Sequence, residues 1–333
     1  MKKIKFFFPV LILLFIVIFA SCEKEEAEVK INESEVLVQY LESAQSPLKK
    51  DFVNTDMPTI IGASEVKTLM ATNRVYIIDI RSAADFALGH IANAKNVVFS
   101  DLLSHVKGLT MANYDKVAIV CYTGQTAGFG ASLLRLMGYD KVYSLKWGMC
   151  SWNSFFAGKW NTAIAGGNAY ASQMVKTDSP KAAKGELPVL NTGKSTGQEI
   201  LEARVAALLT EGFTPASITN ATVFGNISNY SIVNYWTVAH YGIGHISGAM
   251  QYTPKEAIKL AADLKTLPVG KSIAVYCYTG QTSAFLVAYL RLLGYDAKSI
   301  LFGTNAMMYD TMVANSMTIF KASEIMGYDY VLN

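Results

Sequence analysis

The sequence predicts an α/β protein made of two tandem units, each a small parallel sheet with helices on both faces. Three observations carry that reading. Blocks of sequence recur in the same order about 155 residues further along the chain. Within each copy, short β-rich runs alternate with amphipathic helical runs. The 333 residues are 51% hydrophobic and only 17% charged, a composition that builds cores.

In chain order, the first element is an address. Lys2, Lys3 and Lys5 precede an apolar run from Phe6 to Ala20, the pattern of a removable signal over residues 1–21 and short for a spanning helix. Ala20 and Ser21 before Cys22 resemble the lipobox of bacterial lipoproteins. That resemblance implies Cys22 as the lipidation site and a cell-envelope protein held on the membrane by a lipid anchor, facing the periplasm or the cell surface. Phe19 departs from the Leu or Val usual there; an ordinary signal or uncleaved anchor with Cys22 incidental is the other reading. Residues 22–54 read as a tether, opened by Glu23, Lys24, Glu25 and Glu26, and an N-terminal helix. Without Lys2, Lys3 and Lys5 the 26 acidic residues are matched by as many basic ones. That balance removes the overall electrostatic case for nucleic acid.

The repeat comes next. Cys121-Tyr122-Thr123-Gly124-Gln125-Thr126 recurs letter for letter as Cys277-Tyr278-Thr279-Gly280-Gln281-Thr282. Gly89-His90-Ile91 returns as Gly244-His245-Ile246, and Leu134-Arg135-Leu136-Met137-Gly138-Tyr139-Asp140 is echoed from Leu290 to Asp296. The two units span residues 55–157 and 190–333, with a linker over 158–189. In the first unit the pattern predicts helices over 64–70, 83–88 and 127–137, and strands over 75–79, 117–120 and 142–145. In the second it predicts a strand over 273–276 and a helix over 283–293. The stretch from Gly158 to Thr192, rich in Gly, Ala, Lys and Ser and holding Pro180 and Pro188, reads as a linker or irregular insertion, long enough that part of it is expected to pack on a domain.

The duplicated loop carries the chemistry. A cysteine just past a buried parallel strand faces the crevice where such sheets bind ligands. Gly124 and Gly280 let the backbone curl so that amide N–H groups face the sulfur, and the following helix adds its positive end. One helix end supplies roughly 0.3–1 kcal/mol. The expected thiolates at Cys121 and Cys277 therefore depend mainly on the amides of Tyr122–Thr126 and Tyr278–Thr282.

With Asp79-Ile80-Arg81, Asp85-Phe86, the Gly89–Ala94 turn, the CYTGQT loop, Gly148 and Trp152, the chain resembles two tandem rhodanese domains of the sulfurtransferase family. The resemblance implies that Cys121 and Cys277 are nucleophiles. Each would take sulfane sulfur from a donor such as thiosulfate or 3-mercaptopyruvate. The persulfide would then pass it to cyanide, a small thiol or a protein thiol. Neither a metal nor an organic cofactor is implied. Cysteine phosphatases of related architecture need an arginine six positions after the nucleophile, where this chain has Ala127 and Ser283. Many thiosulfate-using rhodaneses carry arginine where Thr126 and Thr282 stand, which leaves the donor open. The alternative function is a non-catalytic sulfur carrier or protein-binding module.

Four structural expectations complete the reading. Asp79, Arg81 and Asp85 align with Asn234, Trp236 and His240, and Arg81 is expected to pair with Asp85 or to fix the loop after the strand. His90 and His245 are expected to hold the turn by hydrogen bonds. Tyr122 and Tyr278 either rim the pocket or cover it. Cys150 is either packed or a resolving thiol for Cys121.

Overall fold

Two five-stranded, all-parallel sheets organise the chain, and the second repeats the order of the first. The strands are β1 (Ile60–Ile61), β2 (Val75–Asp79), β3 (Lys95–Asn96), β4 (Lys116–Val120), β5 (Val142–Leu145), β6 (Met174–Val175), β7 (Ser217–Ile218), β8 (Ser231–Asn234), β9 (His245–Ile246), β10 (Met250–Gln251), β11 (Ile273–Tyr276) and β12 (Ala297–Ile300). The first sheet runs β1-β5-β4-β2-β3 and the second β7-β12-β11-β8-β10. The computed structural model describes residue 1 and residues 31–332; Cys22 and the apolar run before it lie outside the described residues.

The central strands are Val- and Ile-rich because helices cover both faces. Val117, Ala118, Ile119 and Val120 are fully buried, as are Ile273, Ala274, Val275 and Tyr276. After each central strand a helix begins at once, Gln125–Leu136 in the first copy and Gln281–Leu292 in the second. Both begin two residues earlier than the sequence pattern predicts. Gly124 (φ +86°) and Gly280 (φ +77°) adopt the left-handed region and turn the chain directly into the helix.

These two helices pack against each other, so one hydrophobic core runs through both copies and joins Phe129 and Leu133 to Phe285 and Val287. Ser132 donates to the Phe285 carbonyl at 2.9 Å across the seam. From Asn32 onward the chain is a single compact unit.

The tails are exchanged. β6, after the first copy, runs antiparallel to β9 of the second, pairing Val175 with His245. The C-terminal tail reciprocates: His90 and Val331 exchange two N–H···O bonds of 2.9 Å. Val175 and Val331 are 156 positions apart, the same spacing as Cys121 and Cys277. Each copy thus sends its tail to the Gly-His-Ile turn of the other.

The segment expected to be irregular holds a helix, Gly158–Ala165. Fully buried Trp160 anchors it by stacking on Phe320 and meeting Trp147 and Phe302 edge-on. An aromatic anchor outweighs the glycine-rich composition. Among the described residues no helix is long and apolar enough to cross a membrane.

Candidate active site

Strand β4 delivers Cys121 to the carboxyl edge of the first sheet. The loop after it takes its shape from the partners of its carbonyls. Cys121 C=O accepts from the Met149 amide at 2.8 Å, and Tyr122 C=O from the Cys150 amide at 3.1 Å. Thr123 C=O accepts from Trp160 Nε1 at 3.2 Å, and Gly124 C=O from Ser144 Oγ at 3.0 Å. With every carbonyl engaged outward, the amides turn inward. The Gly124 N–H lies 3.2 Å from Cys121 Sγ and the Ala127 N–H 3.4 Å. Ala127 extends the cradle one residue beyond the span expected from the sequence.

The cradle does not make Cys121 acidic. Burial pushes its thiol up, and the amides of Ala127, Thr123 and Gly124 pull it down without cancelling that effect. The Asp79 carboxylate adds to the rise. This corrects the expected thiolate: counting peptide dipoles omitted the cost of removing the sulfur from water, and Cys121 is only 5% exposed. Cys150 is fully buried, and burial pushes its thiol up to about 12. It donates S–H to the Phe156 carbonyl at 3.1 Å, and both cysteines are free thiols.

Arg81 does not pair with Asp85. Its guanidinium forms a buried ion pair with Asp79 at 2.6 Å and donates to Gly89 C=O at 2.7 Å. The expected four-residue spacing is a helical rule, whereas Arg81 lies at a strand end and folds back two residues. Asp85 instead accepts from the Tyr122 hydroxyl at 2.8 Å and the Ser82 hydroxyl at 2.7 Å. Ser82 foremost, with Tyr122 and the cations Arg81 and Lys159, holds the Asp85 carboxyl below its usual range.

A cavity of ≈ 370 Å³ opens beside Cys121. Arg81, Asp85, Tyr122, Thr123 and Thr126 line it, as does Lys159 from the helix after the first copy. Leu301 and Phe302 of the second copy close the far side. Tyr122 therefore rims the pocket. Sequence reading missed Lys159, Leu301 and Phe302, because none is adjacent to a motif.

The second loop repeats the frame with different furniture. Cys277 Sγ accepts from the Ser283 amide at 3.2 Å, and Thr304 and Asn305 amides hold the Cys277 and Tyr278 carbonyls at 3.2 Å. Cys277 is 1% exposed. Trp236, at the Arg81 position, stacks on Tyr278 with ring centroids 5.0 Å apart. The Tyr278 hydroxyl meets His240 Nδ1 at 2.5 Å, as Tyr122 meets Asp85. Thr279 Oγ1 accepts the Gln281 amide at 3.1 Å, and Thr282 is half-buried.

Both loop glutamines point across the seam. Gln125 Oε1 accepts the Phe302 amide at 2.8 Å while its Nε2 donates to Thr123 Oγ1 at 3.1 Å. Gln281 Nε2 donates to Ser144 Oγ at 2.5 Å and to Leu145 C=O at 3.1 Å. The Gln281 side chain, expected near substrate, is committed to the other copy, whereas Gln125 both bridges the seam and lines the cavity beside Cys121. His90 Nδ1 meets the Phe86 carbonyl at 3.0 Å, and His245 Nδ1 the Tyr241 carbonyl at 2.9 Å, each across one turn.

The rhodanese-like domain model matches residues 62–155 and 228–306. A thiosulfate sulfurtransferase GlpE of Pseudomonas paraeruginosa is 30% identical over 104 residues, 31% of this chain and 92% of that protein. Its counterpart in Shewanella oneidensis is 32% identical over 94 residues, 28% of this chain and 90% of that protein. Among solved structures, the thiosulfate sulfurtransferase of Pseudomonas aeruginosa is 14% identical, with 90% of this chain and 71% of that chain covered and a TM-score of 0.25. SseA from Escherichia coli, described as a 3-mercaptopyruvate sulfotransferase, is 15% identical, covering 72% and 98%, with a TM-score of 0.25. Two parallel sheets of one strand order, each ending in the same cysteine loop and each matched by the same model, place the chain in the rhodanese-like domain family, with two such domains.

Proposed function

We propose that this chain is a sulfurtransferase that carries sulfane sulfur on Cys121. One observation supports this above all: every carbonyl from Cys121 to Gly124 is bonded outward, so the amides face a sulfur beside an open cavity. The thiol proton passes to solvent and the thiolate attacks the sulfane sulfur of the donor. A new S–S bond forms, the bond from that sulfur to the rest of the donor breaks, and its electron pair leaves with the donor fragment. An acceptor, cyanide or a thiolate, then attacks the terminal sulfur and the electron pair returns to Cys121. Amides of Thr123, Gly124 and Ala127 hold the anionic sulfur at both ends of the cycle.

Cys277 is the second candidate nucleophile, in a more closed setting. Mass analysis of each loop peptide after exposure to thiosulfate and to 3-mercaptopyruvate tests both. An added sulfur atom on Cys121 is expected, and its absence with every donor overturns the reading. The raised Cys121 thiol favours one rival, a carrier or protein-binding module without turnover, which predicts no multiple-turnover thiocyanate production. Lys2, Lys3, Lys5 and the Ala20-Ser21-Cys22 run support a lipid-anchored envelope protein. Cys22→Ser is expected to release it from membranes, and retention argues against the anchor.

A further inference from the structure

Neither six-residue loop contains a positively charged side chain, so an anionic donor meets no cation from the loop itself. The cavity supplies one from elsewhere. Lys159, on the helix Gly158–Ala165, lines it beside Cys121, with its Nζ 4.2 Å from the centroid of the Tyr122 ring. The ring beneath that ammonium and the helix that carries it are both fixed. The Tyr122 hydroxyl is held by Asp85, and Trp160, next in sequence, is buried and bonded to the Thr123 carbonyl.

Of the other charges in the cavity, Arg81 is engaged in a buried ion pair with Asp79, and Asp85 keeps its negative charge, which attracts Lys159 from beyond ion-pair distance. The two carboxylate oxygens of Asp85 accept from Tyr122 and Ser82. Lys159 is exposed and forms no ion pair within 4.0 Å among the described residues. The second copy has no equivalent: Trp236 stands for Arg81, and the helix Tyr309–Ala314 after its sheet contains no lysine or arginine.

We propose that Lys159 selects an anionic sulfur donor at Cys121, its ammonium taking the charged end while the sulfane sulfur faces Cys121 Sγ. This inference rests on the sulfur-transfer reading above. With thiosulfate, the Cys121–sulfur bond forms, the bond between the two donor sulfurs breaks, and the electron pair departs on sulfite. Lys159 faces the group that leaves with that charge. A lysine ammonium is a mobile point charge on a long stem, suited to following a small anion at a half-open rim.

The test compares thiosulfate with dimethyl trisulfide, which carries sulfane sulfur without charge, using cyanide as acceptor and the full chain as wild type, Lys159→Met and Lys159→Arg. Lys159→Met is expected to raise KM for thiosulfate roughly tenfold, the size of one charge-assisted hydrogen bond. The thiosulfate-to-trisulfide ratio of kcat/KM should fall by a similar factor, and Lys159→Arg should restore most of it. An unchanged ratio in Lys159→Met, with wild type turning over both donors, overturns the inference alone. Failure of the wild type to load Cys121 from either donor removes the sulfur-transfer reading, and this inference with it.

Discussion

The Oε1 of Gln125 accepts the amide N–H of Phe302 at 2.8 Å, pinning the sulfur loop of one copy to the turn after the last strand of the other. Gln281 makes the reverse connection to Ser144 and Leu145. The two loops are therefore not independent modules. Gln125→Ala leaves the Phe302 amide without its acceptor and is expected to cost about 1–3 kcal/mol. Urea unfolding should show a lower midpoint with an unchanged slope; a midpoint equal to wild type would contradict the role given to this bond.

The buried Asp79–Arg81 pair is absent from the second copy, where Asn234 and Trp236 stand together. Removing one partner of a buried pair strands the other charge, at about 3–5 kcal/mol. Asp79→Asn and Arg81→Trp are each expected to be strongly destabilising, whereas the double variant recovers part of the loss. A double-mutant cycle measured by denaturation checks this. Strict additivity of the two losses would show that the ion pair is not the coupled element.

How much of the molecule is legible in the sequence depends on what each residue touches. The strands Val142–Leu145 and Ile273–Tyr276 can be read to the residue, because buried apolar runs between polar turns have little alternative. The cysteine loops are legible through duplication. Lys159 is not, since it sits in a Gly- and Ala-rich stretch and reaches the site only because Trp160 docks its helix. Both glutamines look like site residues because they belong to the motif; the packing of the two copies turns Gln281 away, while Gln125 still lines the cavity. The acidity of Cys121 is misjudged from sequence because burial of a loop sulfur is a tertiary property.

That burial sets a pH dependence. The Cys121 thiol is raised above the ordinary cysteine range of about 8.5, so between pH 7 and 8.5 it is mainly protonated and the thiolate fraction grows about tenfold per pH unit. Alkylation of Cys121 by iodoacetamide should rise with that slope and show no plateau below pH 8.5. Cys150, pushed up to about 12 and fully buried, should remain unlabelled in the folded protein. A plateau for Cys121 near neutrality would indicate a low thiol pKa and contradict the burial argument.

The exchanged C-terminal tail makes a mechanical prediction. Tyr330 packs edge-on against Phe156 at 4.9 Å and stacks on Phe155, beside the His90–Val331 bridge. Tyr330 is half-buried, so Tyr330→Ala is expected to cost about 1–2 kcal/mol. Hydrogen exchange should quicken at the His90 amide, which donates to Val331. Unchanged protection at His90 would mean that the tail does not stabilise the first copy.

The most direct measurement is the mass of the peptide containing Cys121 after the folded chain has met thiosulfate and excess donor has been removed. Sulfur transfer through this residue predicts one additional sulfur atom on Cys121, lost on adding cyanide and absent from Cys121→Ser. An unmodified Cys121 under conditions where thiocyanate still forms would contradict it, for the sulfur would then travel by another group.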